Sequence, residues 1–536
     1  MAMSQPFGVS CRGGLNTNLN QLEMLAQPGV ATELLNFEVD ADGGYRRVNG
    51  YNNFGDTQPN GSNRILGLFI YADGVIVCSG DGIFFSIDGE DAWLQINKAS
   101  VASSGDNFST FTGRSAAART NQLQSTFSLF EGNTDYGEVI ICDGINKPFL
   151  FKMTGLGDLN TRTFFASEIT VSGTTAPLVG AVHDKHLVVA GASTAKNTIF
   201  FSATSDIDSF SGTGSGSILL DDQVVGLKSF RTDLIIFCKN SIFKLININN
   251  SSNIAIVPIT KNVGCLNSHT IQEIGGDLVF LSPDGIRSVA GTARIGDVEL
   301  GSVSRQIQAV IKDLSNSITD FVLTSAVLRS KSQYRLFYAS TSATPAASRG
   351  IIGTLTANGF EWSETQGIQA LGFASQLNFE GIEKHFHGDN SGFVYEHDIG
   401  NTFRSGTTAF NVIAKYVTPN YDFGDIGTRK TMYYVKVSLS PEGVVLPKLR
   451  VRYDYEDRDI PQPLDYTMTG IPIPAVFGAV NSTFGSAVFG TSKDPMFRQA
   501  IEGSGHVTSF RFSTEDSNPP FAINGLYIDY VPSGRR

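Results

Sequence analysis

The chain has 536 residues and a formal net charge of −11, with 17% charged residues, 41% hydrophobic residues, 56 glycines and 38 phenylalanines. That balance argues against a protein that grips nucleic acid by its phosphates, which takes clustered Lys and Arg; and with no apolar run near 18 residues, stable membrane insertion through a helix is not expected. The five cysteines (Cys11, Cys78, Cys142, Cys238, Cys265) are odd in number, widely spaced and without a CxxC pair, so they read as reduced, buried thiols of a chain that matures in a reducing cytoplasm.

Residues 1–60 read as an N-terminal segment that ends in a hairpin. Leu34 to Tyr51 runs as strand, Asp-Ala-Asp-Gly-Gly turn and strand, with Gly43 and Gly44 able to take the positive φ that a short loop needs. Pro28-Gly29 marks an earlier turn. No charged head leads into an apolar stretch, so no signal peptide is expected.

Residues 61–405 repeat one phrase: a β-rich run, a tight polar turn, and a second β-rich run that starts on a large apolar residue. It occurs as VCSGDGIFFSI (Val77 to Ile87), IFCKNSIFKLI (Ile236 to Ile246), VFLSPDGIRSV (Val279 to Val289) and FHGDNSGFVYEHD (Phe386 to Asp398), and more loosely as IICDGINKPFLF (Ile140 to Phe151). Self-similarity at roughly 40 to 60 residues implies a radial array of small sheets, a β-propeller. About seven blades are expected, beginning near Arg64, Gln124, Leu178, Val225, His269, Phe321 and Ala370. Ser-, Gly-, Thr- and Ala-rich stretches at Lys98 to Ser115, Thr154 to Ala176 and Ser340 to Ser348 read as loop insertions. Within Glu299 to Leu314, Val303, Ile307, Val310, Ile311 and Leu314 fall at helical spacing, which predicts one short helix capped by Ser302 or Ser304.

Residues 406–536 change character and read as a C-terminal β-sandwich. In Pro447 to Asp457, Leu449, Val451, Tyr453 and Tyr455 alternate with Arg450, Arg452 and Asp454, so the first four are expected on one face. Thr467 to Asp494 is a long loop rich in Pro, Gly and Phe, suited to contact with a neighbouring subunit.

Few residues suggest chemistry. There is no GxSxG or HExxH, and GTGSGSI (Gly212 to Ile218) lacks the lysine of a phosphate cradle and reads as a flexible loop. Ser86, Asp88 and Trp93 imitate an Asp-box turn with its glycine one residue early, at Gly89. His385 and His387 share one face of a strand near Asp389 and His397, an arrangement open to a metal but more simply a solvated strand end. The acid pairs Asp221–Asp222 and Asp454–Glu456 read as solvated surface. The expectation is a protein that is not an enzyme, with no catalytic residue, cofactor or metal.

The N-terminal stretch Arg12 to Phe54, RGGLNTNLNQLEMLAQPGVATELLNFEVDADGGYRRVNGYNNF, resembles the opening of nozzle-type tail proteins of short-tailed bacteriophages, a group that includes tail tubular protein B-like and DNA-stabilisation proteins. Phe280 to Gln308, RKTMYYVKVSL and the terminal GLYIDYVPSGRR agree in the same order. The resemblance implies a structural virion protein assembled in the host bacterial cytoplasm as a hexameric ring below portal and adaptor proteins. Double-stranded DNA would pass its axial channel without sequence-specific binding, and tail fibres or spikes would attach outside. Gly13, Gly14, Asn36, Gly43, Gly44, Arg46 and Arg47 match the pattern, which implies a fixed hairpin at a subunit or adaptor contact. Arg46 and Arg47, on opposite sides of a strand, offer one guanidinium to an acidic partner across that interface. The alternative reading is a tail component that binds or cleaves host-surface glycans.

Overall fold

A computed structural model describes the chain apart from residues 1–3, 42, 88–91, 98–106, 109–121, 129–135, 156–161, 175, 290–301, 343, 379, 458, 470–495 and 536. Asp88 and most of the Lys98–Ser115 and Thr467–Asp494 loops lie outside the described residues.

The repeated phrase folds as its composition dictates. β-Branched and aromatic residues fill the strands, and two-residue turns join them. Gly74–Ser79 and Gly82–Ile87 pair through Ser79 and Gly82, leaving Gly80-Asp81 as the turn, and Gly80 takes φ +59° there. Asp277–Ser282 and Gly285–Ser288 do the same around Pro283-Asp284. Every residue of Gly74–Ser79 and Gly82–Ile87 is buried, as expected of strands covered on both faces by neighbouring sheets.

Seven such units stand in a ring. Their innermost strands are Ile65–Tyr71, Gln124–Ser128, Val179–His183, Val224–Phe230, Gln272–Ile274, Val322–Leu328 and Gly372–Leu377, and residues of all seven line one axial cavity. Six units are separate sheets, so six free-standing blades stand where about seven were expected. The remaining place in the ring is filled by the four strands from Val322 to Gln366, which form one end of a ten-stranded sheet. Apolar seams between neighbours hold the ring, for example Ile76, Phe85 and Leu66 against Val139, Phe151 and Met153. A buried Leu or Phe side chain contributes about 1.5–3 kcal/mol, so each seam is a substantial adhesive surface.

The strands of residues 1–60 pair with strands of both later regions. Tyr51–Asn53 pairs antiparallel with Val394–His397 as the outer strand of the last unit, closing the ring with chain from its other end. Glu33–Leu35 lies between Gly359–Gln366 and Thr408–Val417 and so welds the propeller to the C-terminal region. Phe37–Val39 and Tyr45–Arg47 join Phe521–Arg535, as does Gln5–Ser10.

The C-terminal region is built of a pair of sheets that face each other. Met432, Val435, Val437, Leu526 and Ile528 of one meet Tyr416, Leu449, Val451, Phe510 and Phe512 of the other in the largest core cluster. Leu449, Val451 and Tyr453 point inward as their alternation predicts. Tyr455 does not: Asp454, Tyr455 and Glu456 all take positive φ, the strand ends, and Tyr455 is exposed.

The predicted helix is Gln308–Asn316, preceded by one tight turn at Arg305–Ile307, with Ile311 and Leu314 buried. Neither serine caps it. The Ser304 hydroxyl instead accepts Ile286 N–H at 2.9 Å. The second half of the glycine-rich loop is likewise a strand, Gly216–Leu219, at the outer edge of the third unit.

Candidate functional site

The hairpin residues singled out in the sequence meet at the seam where propeller, C-terminal sheets and N-terminus join. Gly13 N–H donates to Glu361 Oε2 at 2.7 Å, and Gly14 N–H to the Tyr45 hydroxyl at 3.1 Å. Tyr45, fully buried, donates its own proton to Gly29 O at 2.7 Å. Gly14 takes φ +65°, and a Cβ there would lie 2.7 Å from Trp362 N and 2.8 Å from Trp362 O. Glycine is therefore required twice over, by backbone conformation and by space.

Asn36 is the most fully used of the set. It sits at φ +52°, a region that asparagine tolerates better than most residues. Its Nδ2 donates to Gln366 O at 2.9 Å and Ile413 O at 2.8 Å, while its Oδ1 accepts from Thr365 Oγ1 at 2.8 Å and Gln366 N at 3.0 Å. One side chain thus bridges a propeller strand and a C-terminal strand. In the turn, Gly43 and Gly44 take φ +102° and +103°, and Gly44 N–H donates to Cys11 O at 3.1 Å.

The two arginines do point to opposite sides, and both find partners within the chain. Arg46 makes a two-pronged pair with Glu442 (2.5 and 2.8 Å) and a third bond to Glu38 at 2.9 Å. Arg47 is 1% exposed and donates to the carbonyls of Asn401 at 3.0 Å, Asp516 at 3.2 Å and Asn518 at 2.5 Å. Burial lowers its affinity for the proton, and Asp516, 3.7 Å away, works against that. The acids that satisfy Arg46 are thus the chain's own.

Sequence reasoning missed the residues behind this hairpin. Glu38 is buried, yet Lys331 Nζ lies 2.9 Å and Arg335 Nη2 3.0 Å from its carboxylate, and the Gln333 amide donates at 3.2 Å. Lys331 and Arg335 also hold Asp398, at 3.1 and 3.5 Å. Burial alone would raise the Glu38 carboxyl, but Lys331, Arg335 and Arg46 outweigh it and hold the group below its ordinary range. Asp398 is depressed the same way, by Arg335 and Lys331 against burial. A charged residue in the apolar phrase NFEV was the one local sign of this network.

The histidines are core, which corrects the solvated strand end. His387 and His397 are buried and joined nitrogen to nitrogen at 2.6 Å, with Tyr51 edge-on against His387 at 4.8 Å between ring centres. Burial drives His387 down to about 3 and His385 to about 4, so both are neutral at pH 7. Among the described residues no three metal-ligating side chains converge. Asp222 is a turn brace, accepting from Asn240 N at 2.7 Å and Ser241 Oγ at 2.8 Å. All five cysteines are buried and outside any disulfide, and burial pushes Cys11, Cys238 and Cys265 up to about 12.

No protein-family model and no curated protein sequence matches the chain. Among solved structures it is similar in fold to the Neurospora crassa Pan2 WD40 domain, at 9% identity and a TM-score of 0.34 over 65% of this chain and 94% of that one. It is also similar to the extracellular domain of a putative one component system, BT4673, from B. thetaiotaomicron, at 9% identity and a TM-score of 0.37 over 72% of this chain. The chain spans 43% of the length of that second structure. The propeller itself stands on the ring of sheets described above.

Proposed function

We propose that the chain is a non-enzymatic structural protein of a short phage tail, the nozzle subunit, which closes with copies of itself into a hexameric ring around a duct for the genome. The observation that carries this reading is where the resemblance pattern falls. Gly13, Gly14, Asn36, Gly43, Gly44, Arg46 and Arg47 are all invested in one seam that locks propeller, C-terminal sheets and N-terminus together. A duct subunit that withstands packaged DNA needs fixed geometry, and buried, hydrogen-bonded polar networks provide it. In this reading the hairpin fixes the subunit's own shape and presents an adaptor-facing surface built on it. The net charge of −11 suits passage of phosphates without adhesion. Portal or adaptor proteins would sit above, and fibres or spikes outside.

The test is the assembly state of the purified chain, by native mass spectrometry and negative-stain imaging. Closed rings of about six copies with a central hole are expected. A chain that stays monomeric at tens of micromolar overturns the proposal.

A further inference from the structure

We propose that the axial cavity of the propeller is a binding site for a small oxyanion, anchored by Lys228. This goes beyond the tail-protein reading and does not depend on it.

The cavity, about 370 Å³, lies where the seven innermost strands converge. That falls within the range of small-molecule sites. Each lining strand is the first of its unit, so its axis-facing edge carries backbone groups without a partner strand. Ser125, Thr126, Ser229, Ser268 and Ser375 add hydroxyls to the wall. In a chain with eleven more acids than bases, the one charged side chain among the described lining residues is a cation, Lys228. His269, the other titratable group in the wall, is pressed by burial down to about 4 and is neutral.

Lys228 sits on Val224–Phe230 without a hydrogen bond or ion pair among the described residues. Burial lowers its affinity for the proton, Glu273 counters that, and Arg329 adds to it. Glu273 is exposed and does not line the cavity. A half-buried ammonium without a carboxylate in contact is costly unless something of opposite charge joins it. Two hydroxyls stand ready to help. Thr126 Oγ1 accepts Val182 N–H at 3.1 Å and Thr324 Oγ1 accepts Phe373 N–H at 2.9 Å, which leaves both hydroxyl protons to donate. An ammonium in a wall that also carries hydroxyl donors is the recognition chemistry of a single carboxylate or phosphate group.

Competitive amine labelling of the intact chain, read by mass spectrometry, tests this. Inorganic phosphate and malonate are titrated separately at constant ionic strength kept with chloride. Labelling of Lys228 is expected to slow at least about fivefold at saturating anion, with the exposed Lys185 and Lys261 unchanged. Protection by malonate alone identifies a carboxylate ligand, by phosphate alone a phosphoryl ligand, and either supports the site. Equal slowing at all three lysines, or none at Lys228, overturns it. Lys228→Met should weaken calorimetric binding of the protecting anion by about tenfold or more, the loss of one charge-assisted contact. Unchanged affinity in that variant equally overturns the assignment.

Discussion

Glu38 Oε2 and Arg335 Nη2 lie 3.0 Å apart with both side chains under 5% exposed, although 297 positions separate them in the chain. The pair fastens the N-terminal hairpin to the propeller unit that is itself continuous with the C-terminal sheets. Arg46 extends the fastening to Glu442, and Lys331 and Arg335 extend it to Asp398. Three cations thus share one buried acid, Glu38, one partly exposed acid, Asp398, and one exposed acid, Glu442. The stability of this junction should respond to charge removal far more than a surface ion pair would.

Glu38→Gln leaves Lys331 and Arg335 short of a counter-charge. We expect a loss of about 3 kcal/mol or more, the usual cost of breaking a buried pair from one side, measured by urea unfolding at pH 7. The sign with pH follows from the depressed carboxyl. Its contribution is complete above the ordinary glutamate value of about 4.3 and is lost as pH falls through the folded value. The gap between wild type and variant should therefore shrink below pH 4. A gap of under 1 kcal/mol at pH 7 contradicts the assignment.

Gly14 and Gly61 separate strain from crowding. Both take positive φ, +65° and +55°, but a Cβ on Gly61 meets nothing within 4 Å, whereas one on Gly14 meets the backbone of Trp362. Gly61→Ala should cost about 1–2 kcal/mol, the left-handed penalty alone. Gly14→Ala should cost clearly more, because the Trp362 strand must move. Equal shifts in thermal midpoint would refute the crowding argument.

Histidine burial sets a second pH response. His269, His385, His387 and His397 all have folded values pushed below the ordinary one by burial, His387 to about 3. The unfolded chain therefore binds more protons as pH drops below about 6.5, and stability falls with it, down to the folded values. Each such group contributes a slope of up to about 1.4 kcal/mol per pH unit. Melting temperature should decline between pH 6.5 and 4.5, before the carboxylates matter. His387→Gln should flatten that decline, and an identical decline in the variant would exclude His387 as a source.

Much of the ring was legible because it is local. Alternation and turn chemistry placed unit starts near Arg64, Gln124, Leu178, Val225, His269, Phe321 and Ala370, and the innermost strands begin at Ile65, Gln124, Val179, Val224, Gln272, Val322 and Gly372. What was not legible is pairing across distance. Nothing near Tyr51 announces that it will pair with His397, or near Leu35 that it will lie beside Glu364. The same limit hid the fusion of one unit into a ten-stranded sheet. The hairpin glycines were visible as turn formers, but their tight neighbours, Trp362 and Asn524, were not. Glu38 reads as an ordinary strand acid because two of its three cations, Lys331 and Arg335, come from almost 300 positions away.

That long-range pairing makes its own prediction. A chain starting at Arg64 lacks Tyr51–Asn53, the outer strand of the last unit, and Glu33–Leu35, the strand between propeller and C-terminal sheets. It also loses the Phe37 and Tyr45 contacts in the largest core cluster. Such a chain should show no cooperative thermal transition, since an unclosed ring exposes both an apolar seam and an unpaired edge. Supplying residues 4–63 as a separate peptide should restore the transition, because the lost contacts are non-covalent. If the shortened chain melts cooperatively within a few degrees of the full one, the N-terminal strands are accessories and do not close the fold.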